Sequence, residues 1–323
     1  MPTLPPWLNG LIALGSFFAI AAGAKYVVDS AATLAHRLGF SQLVIGLTVV
    51  ALGTSAPEFG VTLVAAFEGR SSISVGNIVG SNIFNLGFIL GGAAAFAAIP
   101  TDRIMVWRDA LALAGGTLVL YLLVGVDLSL GFGDGLILLG CLAAYLLLVW
   151  RGRRAGTEDL LTHEVEDLVW LEHSVIYTAA ILLLGFAIIG VSSHFLIGSA
   201  SALARSAGVS EWVIAVTVVA AGTSVPEIAT TLAGVARGHT ALSAGNVIGS
   251  DLFNVLGVLG VAGVLHPMVL QPEARPSLIA LSGMVAVVLL MMRSGWRLSR
   301  TEGVVLLALA ALRWALDFLG RGV

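Results

Sequence analysis

The chain has 323 residues, 58% of them hydrophobic and 11% charged, and its formal net charge is -3. A soluble domain carries about 25% charged residues, so the composition excludes an ordinary soluble protein and predicts a polytopic membrane protein. The weak net charge gives no reason to expect nucleic acid as a partner. The single cysteine, Cys141, excludes an internal disulfide, and the six histidines lack the spacing of a zinc or haem site. We therefore expect no resident cofactor, and the lipid bilayer as a partner.

A helical span needs about 20 mostly apolar residues. On this basis we predict an all-α protein with ten spans, at 8–28, 42–67, 72–97, 107–125, 133–150, 174–194, 211–236, 241–265, 276–292 and 302–319. The first ten residues lack the positive region of a cleaved signal peptide, so the first span is expected to be retained. The polar segment 151–173 reads as a solvated loop, with a regulatory cation site on its acidic residues as the alternative.

The basic residues predict the orientation of these spans. With ten spans both termini lie on one side, and eleven of the sixteen Lys and Arg residues fall toward the other side. Loops rich in Lys and Arg stay in the cytoplasm. We therefore predict an integral protein of the cell (inner or plasma) membrane, with its termini outside and the 151–173 loop cytoplasmic.

An internal repeat predicts the architecture. Residues 44–91 align without gaps to 213–260 at an offset of 169, with 23 identities in 48 positions. The two copies begin five spans apart, and an odd number of spans inverts the second copy in the membrane. Two inverted five-helix repeats are typical of secondary transporters. We divide the chain into a first repeat at 1–150, the loop at 151–173 and a second repeat at 174–323.

Each repeat carries a carboxylate behind a proline inside an apolar run: GTSAPE at 53–58 and GTSVPE at 222–227. Pro57 and Pro226 lack the N–H that would bond the carbonyl four residues back. A freed backbone oxygen in lipid is costly unless protein, water or an ion satisfies it. An acid inside the membrane is by default a functional candidate, so Glu58 and Glu227 are the first candidate site residues.

The following span of each repeat adds polar residues spaced by four, which therefore share one helix face. These are Asn77, Ser81 and Asn85 in the first repeat and Asn246, Ser250 and Asn254 in the second. Neighbouring glycines allow helices to approach closely. Carboxylate, amide, hydroxyl and carbonyl oxygens are hard ligands that favour Ca²⁺ and Na⁺ over transition metals.

These motifs, GTSAPE…GNIVGSNIFN and GTSVPE…GNVIGSDLFN, resemble the two alpha repeats of the sodium/calcium exchangers in the calcium/cation antiporter superfamily. The short central loop is similar to that of prokaryotic members. The resemblance covers essentially the whole chain and implies a membrane antiporter that exchanges Ca²⁺ for Na⁺ by alternating access, not an enzyme. It further implies that the first and sixth spans slide to alternate the access.

The resemblance also implies a site. Glu58 and Glu227 would lie at its centre, completed by Asn85 and Asn254. Flanking sodium sites would use the hydroxyls of Thr54, Ser55, Thr223, Ser224, Ser81 and Ser250 and the backbone carbonyls of Ala51 and Ala220.

Two positions depart from the family pattern. Asn254 stands where some prokaryotic relatives have Asp, and Asp251 stands where Asn is common, with Asn82 as its counterpart. Position 251 lies about 60° around the helix from 254, so Asp251 could restore the missing charge or bind a proton. Asp29 has Gly198 as its counterpart, and we expect it to form a hydrogen bond at the cytoplasmic end of its span, with an ion pathway as the alternative.

Three other functions stay open at this point. A proton-coupled antiporter is the closest of them, although the hydroxyl-rich motifs favour sodium. An intramembrane hydrolase would use Ser55 or Ser224, but neither motif contains a histidine or lysine base. A channel would not explain the matched repeats and paired kinks.

Overall fold

The computed structural model describes residues 4–37, 55–151, 174–236 and 240–320. Eleven helices lie in these ranges. They are α1 Pro6–Arg37, α2 Ala56–Phe67, α3 Ser71–Phe96, α4 Met105–Val124, α5 Phe132–Arg151, α6 Val175–Ala207, α7 Glu211–Thr223, α8 Val225–Ala236, α9 Thr240–Leu265, α10 Ala274–Arg293 and α11 Arg300–Phe318. Helices α3 and α9 each contain a π-helical turn, Asn85–Leu90 and Phe253–Val258.

Seven of the described helices are long and apolar enough to cross a membrane, and the bent pair α7 and α8 makes an eighth span. The short apolar helix α2 covers only the end of the predicted span 42–67, whose first part lies outside the described residues. Helix α11 is not counted among these spans, because its 19 residues include two arginines and two acids. A mostly helical polytopic fold is therefore established, and the count of ten spans stays a prediction.

Helices α1 and α6 are longer than the predicted spans, at 32 and 33 residues. The predictions 8–28 and 174–194 ended too early because the last turns of both helices carry polar residues. These turns are helical because α1 and α6 pack against each other along their length. A Cβ added to Gly185 would lie 2.9 Å from the carbonyl oxygen of Gly23, so glycines permit this close packing.

Two small ribbons join the halves of the chain. Strand β1, Ile99–Pro100, pairs with β4, Arg297–Leu298, and β2, Ser129–Leu130, pairs with β3, Met268–Val269. Both ribbons are antiparallel, and each takes one strand from each half. The residue offset of 169 also relates α2 to α8, α3 to α9 and α4 to α10 at both ends. The repeat in sequence is therefore a repeat in structure.

The main apolar core lies between α3, α9 and the helices that surround them. In an apolar stretch of 18 residues, 78% of the residues of each of these two central helices are buried, against 11% for α5. Large apolar side chains on the outer helices are exposed, including Phe18, Leu122 and Leu148. An exposed apolar perimeter around a buried, polar-containing centre is what a lipid environment requires.

Candidate cation-binding site

Each proline motif contains a serine with a non-helical backbone conformation directly before the helix that carries the glutamate. Ser224 separates α7 from α8, which are bent by 44°, and its φ and ψ are -80° and 11°. Ser55 precedes α2 with nearly the same angles, -84° and 6°. Pro57 and Pro226 occupy the second position of the helix that follows, where a missing N–H costs no helical hydrogen bond. The predicted break is confirmed at Ser224, and Ser55 has the matching conformation.

The two glutamates follow these breaks and are fully buried. The hydroxyl of Ser224 donates to Oε1 of Glu58 at 3.0 Å, and the hydroxyl of Ser250 donates to Oε1 of Glu227 at 3.0 Å. Ser250 Oγ also lies 2.6 Å from Ser55 Oγ. One oxygen of each acid is thus fixed by a hydroxyl, and residues from both repeats contribute to this arrangement.

Four residues of α3 and α9 form crossed pairs at the centre. Asn85 Nδ2 donates to Asp251 Oδ1 at 2.9 Å, and Asn254 Nδ2 donates to Asn82 Oδ1 at 3.2 Å. Positions 82 and 251 are equivalent in the repeat, as are 85 and 254, so the two contacts are the same contact made twice. The side chain of Asn82 also donates to the backbone oxygen of Asp251 at 2.9 Å.

These contacts leave five side chains at the centre with one oxygen each that has no hydrogen-bond partner among the described residues. All five residues are 0% exposed. The oxygens are Oε2 of Glu58, Oδ1 of Asn85, Oε2 of Glu227, Oδ2 of Asp251 and Oδ1 of Asn254. A buried acceptor without a partner is unfavourable, and a hard cation is the partner that would satisfy several at once.

A second group of oxygens lies beside the first proline motif. Ser81 Oγ lies 3.3 Å from Thr223 Oγ1 and donates to the carbonyl of Ala220 at 3.4 Å. Thr223 donates to Oδ1 of Asn77 at 3.1 Å, and Asn77 Nδ2 donates to the backbone oxygen of Glu58 at 3.3 Å. Hydroxyl, amide and carbonyl groups of both repeats therefore meet directly beside Glu58.

A close approach of two helix backbones brings these groups together. A Cβ added to Gly80 would lie 2.4 Å from the Cα of Val216 and 2.5 Å from its carbonyl oxygen. Only glycine therefore allows α3 to contact the backbone of α7 at this point. This contact places Ser81, one residue further, against α7.

The electrostatics of the centre are acidic. Glu58, Glu227 and Asp251 form no ion pair with any described residue, although burial of an unpaired charge is unfavourable by several kcal/mol. Among the described residues, no three His, Cys, Asp or Glu side chains converge as in a resident metal centre. The site is instead a set of oxygens in which each acid accepts a hydrogen bond from an amide or a hydroxyl.

Most predicted site residues meet at this centre: Glu58, Glu227, Asn85, Asn254, Ser55, Ser224, Ser81, Ser250, Thr223, Asp251 and Ala220. Thr54 and Ala51 lie outside the described residues. The sequence placed Asn77 on the polar face of its span and gave Asn82 only as the counterpart of Asp251, without assigning either to the site, although both bridge the repeats. The equivalence of 82 and 251 was the signal that pointed to Asn82.

Asp29 lies away from this centre, on α1. Lys25 Nζ contacts its Oδ2 at 2.8 Å, and its backbone oxygen accepts from Thr33. The acid is 2% exposed. Asp29 therefore accepts hydrogen bonds as expected, and its side chain forms an ion pair with Lys25, one turn earlier on α1.

Comparison with known proteins places the fold and site in context. The family model described as "Sodium/calcium exchanger protein" matches residues 9–151 and 177–315. The protein CaxA of Alkalimonas amylolytica is 36% identical over 285 residues, covering 87% of this chain and 89% of that protein. The sodium/calcium exchanger MaX1 of Methanosarcina acetivorans is 30% identical over 337 aligned positions, covering 93% of this chain and 95% of MaX1.

A solved structure of the sodium-calcium exchanger NCX_Mj superposes with a TM-score of 0.64 at 26% sequence identity. The match covers 96% of this chain and 99% of that protein. Its fold is mostly helical and polytopic, as in this chain. Matched along nearly its whole length by sequence and by structure, the chain belongs to the sodium/calcium exchanger protein family of membrane cation antiporters.

Proposed function

We propose that the protein exchanges Ca²⁺ for Na⁺ by alternating access, with both ions binding at the centre formed by α2, α3, α8 and α9. The observation that carries the proposal is a set of five buried acceptor oxygens, on Glu58, Asn85, Glu227, Asp251 and Asn254, that have no hydrogen-bond partner in the described part of the chain. Calcium binds about 6–8 oxygens. Five side-chain oxygens with water or backbone oxygens would reach this number.

Asp251 takes a defined part in this proposal. Its carboxylate reaches the centre from the turn before Asn254 and contacts Asn85. We therefore assign to Asp251 the third negative charge of the site, in place of an acid at 254. Asn254 contributes its amide oxygen.

The sodium sites would use the smaller oxygen groups on either side of the acids. One group contains Ser81, Thr223 and the carbonyl of Ala220, and the other contains Ser55 and Ser250. The repeat predicts that Thr54 and Ala51 complete the second group, since they correspond to Thr223 and Ala220.

The ribbons support an inverted arrangement of two five-helix repeats, 1–150 and 174–323. A single helix, α4, separates β1 from β2, so these two strands belong at opposite ends of the bundle. Strand β3, the equivalent of β1, pairs with β2 and not with β4. Equivalent strands would thus lie on opposite membrane sides. With the basic residues in the cytoplasm, the termini and the end that bears β2 and β3 face outside.

Charge explains why such a protein would exchange ions and not leak them. Glu58, Glu227 and Asp251 are fully buried and form no ion pair within the ranges that the structure describes, and movement of unpaired charge through the membrane is costly. Ca²⁺ or several Na⁺ ions reduce that charge. The helices would therefore change position readily only when cations are bound, which couples the two fluxes.

The same geometry disfavours a hydrolase. Ser224 donates to Glu58, and Ser55 contacts Ser250. Within the described part of the chain, neither serine has a histidine or lysine partner. A nucleophilic serine needs such a base.

A proton-coupled antiporter is the second candidate, and Asp251 is the observation that favours it, since a third buried acid could carry a proton. The deciding experiment is ⁴⁵Ca²⁺ uptake into proteoliposomes loaded with Na⁺, K⁺ or neither, with and without a pH gradient. Uptake that requires internal Na⁺ and is lost in Glu58→Gln would support sodium/calcium exchange. Uptake driven by a pH gradient alone would replace it with proton coupling, and uptake without any gradient of a second ion would indicate a channel.

A further inference from the structure

Six basic and aromatic residues gather at one end of the bundle, around the ribbon formed by β1 and β4. We call this group the arginine–tryptophan patch. It consists of Arg103, Trp107, Arg293, Trp296, Arg297 and Arg300. All four arginines are exposed, and no part of the cation site described above touches them.

Two of the arginines are held against aromatic rings. The guanidinium carbon of Arg293 lies 4.6 Å from the ring centre of Trp296 and 5.8 Å from that of Trp107. The guanidinium carbon of Arg103 lies 6.0 Å from the same Trp296 ring. Cation–π contacts of this kind restrain an arginine while leaving its N–H donors free. Two positive groups are thus kept beside one ring.

The backbone that carries the patch is fixed. Thr101 donates its N–H to the carbonyl of Trp296 at 3.0 Å and its hydroxyl to the carbonyl of Met292 at 2.8 Å. Trp296 itself adopts φ 54°, the left-handed conformation that is uncommon for a bulky residue. The hydrogen bonds from Thr101 restrain the backbone on both sides of this conformation.

The patch carries more positive than negative charge. Among the described residues, Arg103, Arg293, Arg297 and Arg300 form no ion pair. Two acids lie nearby, and each accepts a hydrogen bond from a backbone N–H at the start of a helix. Asp102 accepts from the N–H of Met105 at 2.7 Å, and Glu302 accepts from Ser299 while lying close to Arg297. The patch is therefore a net positive surface.

The repeat allows the two ends of the bundle to be compared residue by residue. The same ribbon at the other end is formed by β2 and β3, with Leu128 in the left-handed conformation. The positions that correspond to Arg103, Trp107 and Arg293 are Pro272, Pro276 and Val124, and the ribbon register matches Trp296 and Arg300 to Leu128 and Phe132. None of the arginines and tryptophans of the patch recurs at that end, where Arg275 instead donates to the backbone carbonyls of Gly125 and Val126.

We propose that the arginine–tryptophan patch binds the phosphate headgroup of an anionic phospholipid. Planar guanidinium groups match phosphate oxygens in a two-point geometry. Trp107 lies in the first turn of α4 and is 53% exposed, a position typical of tryptophan at the membrane interface. The orientation proposed above puts this end at the cytoplasmic leaflet, where basic pockets between helices bind anionic headgroups.

Native mass spectrometry of the purified full chain in detergent tests this inference. The protein is titrated with dioleoylphosphatidylglycerol, with dioleoylphosphatidylcholine and with inorganic phosphate. We expect one phosphatidylglycerol to bind at least tenfold more tightly than phosphatidylcholine, and Arg293→Gln to weaken it about fivefold. Arg151→Gln removes the same charge on the proposed same side, at the end of α5, and is expected to leave the affinity unchanged.

Several results would overturn the proposal. Equal binding of the two lipids, or an equal loss in Arg151→Gln, would reduce the patch to general surface charge. Displacement of the lipid by millimolar phosphate would make it a free-anion site. If Arg293→Gln fails to fold, Arg103→Gln and Trp296→Leu replace it. Unchanged phosphatidylglycerol affinity in both folded variants would equally contradict the assignment.

Discussion

At the scale of single residues, the protein combines buried acids with few groups that stabilise their charge. Each central acid accepts a side-chain hydrogen bond, Glu58 from Ser224, Glu227 from Ser250 and Asp251 from Asn85, and its second oxygen has no partner among the described residues. These donors fix one oxygen of each acid and so orient the carboxylate. Affinity should therefore depend on the donors as well as on the acids.

Ser224→Ala tests this dependence. The change removes the hydrogen bond to Glu58 and leaves the acid free to rotate, so we expect Ca²⁺ affinity to fall about tenfold, since hydrogen bonds to charged groups are worth about 1.5–3 kcal/mol. Calorimetric titration of Ca²⁺ measures the change. Ser282→Ala is the matched control, because that hydroxyl bonds only to the carbonyl of Leu278 on α10. Equal affinities in the two variants would mean that Ser224 does not orient Glu58.

The crossed amide pairs permit a second test, in which a charge is moved across the repeat. Asp251→Asn should lower Ca²⁺ affinity about tenfold or more, because it removes one of three acids that attract the cation. Adding Asn82→Asp places the acid at the equivalent position, where Asn254 can donate to it as Asn85 does to Asp251. We expect the double variant to recover most of the affinity. If it binds as weakly as Asp251→Asn, the position of the charge matters more than its presence.

At the scale of elements, two features position the site: the helix break at Ser224 and the close contact between spans. The break gives Ser224 and Glu227 an irregular backbone inside the membrane, which protein contacts must compensate. The contact of α3 with α7 supplies those partners, since it brings Ser81 to Thr223 and Ala220. Both features are needed for the oxygens to meet.

Gly80→Ala probes the contact. Its new methyl group would lie 2.4 Å from the Cα of Val216, so α3 and α7 must separate, and overpacking of this kind costs about 1–3 kcal/mol. We expect a lower melting temperature in detergent together with weaker Ca²⁺ binding. Gly115→Ala on α4 is the control, since no described atom lies within 4 Å of its added methyl group and a helix gains from alanine. A variant at Gly80 that melts and binds normally would show that the backbones do not need to be this close.

At the scale of the whole molecule, the halves are equivalent in fold but not in charge. His194 of α6 contacts Glu68 at the end of α2, and Arg70 contacts Ser201 of α6 and Glu211 of α7. These contacts tie the long helix α6 to the rest of the protein at one end. The positions equivalent to Glu68 and His194 are Arg237 and Lys25, two basic residues, so the sequence does not provide the same acid–base pair for the opposite end.

The proposed alternating access predicts that this tie must loosen during transport. With Cys141→Ala as background, a short bis-methanethiosulfonate cross-linker between Glu68→Cys and His194→Cys should stop ⁴⁵Ca²⁺ exchange, and a reducing agent should restore it. Ser129→Cys with Val269→Cys joins facing residues of the β2–β3 ribbon and should leave exchange unchanged. Full exchange in the cross-linked first pair would mean that α6 does not move relative to α2.

Much of this protein is determined by its sequence. The apolar runs predict most helices to within a few residues, because lipid demands long uninterrupted helices. The repeat at an offset of 169 predicts that equivalent elements recur, and the chemistry of Glu58 and Glu227 identifies the centre of the site. Local pattern failed at the ends of α1 and α6, where contact between two helices extends them through polar residues.

Only the tertiary structure decided how the repeats interlock. No local pattern indicates that Asn85 contacts Asp251, that Asn82 bridges to Asn254, or that arginines stack on Trp296. These contacts join residues far apart in sequence, and they depend on how closely helices approach and how they are rotated. Sequence periodicity sets which face of a helix is polar. The partner that the face meets is set by packing between helices, which is a property of the whole molecule.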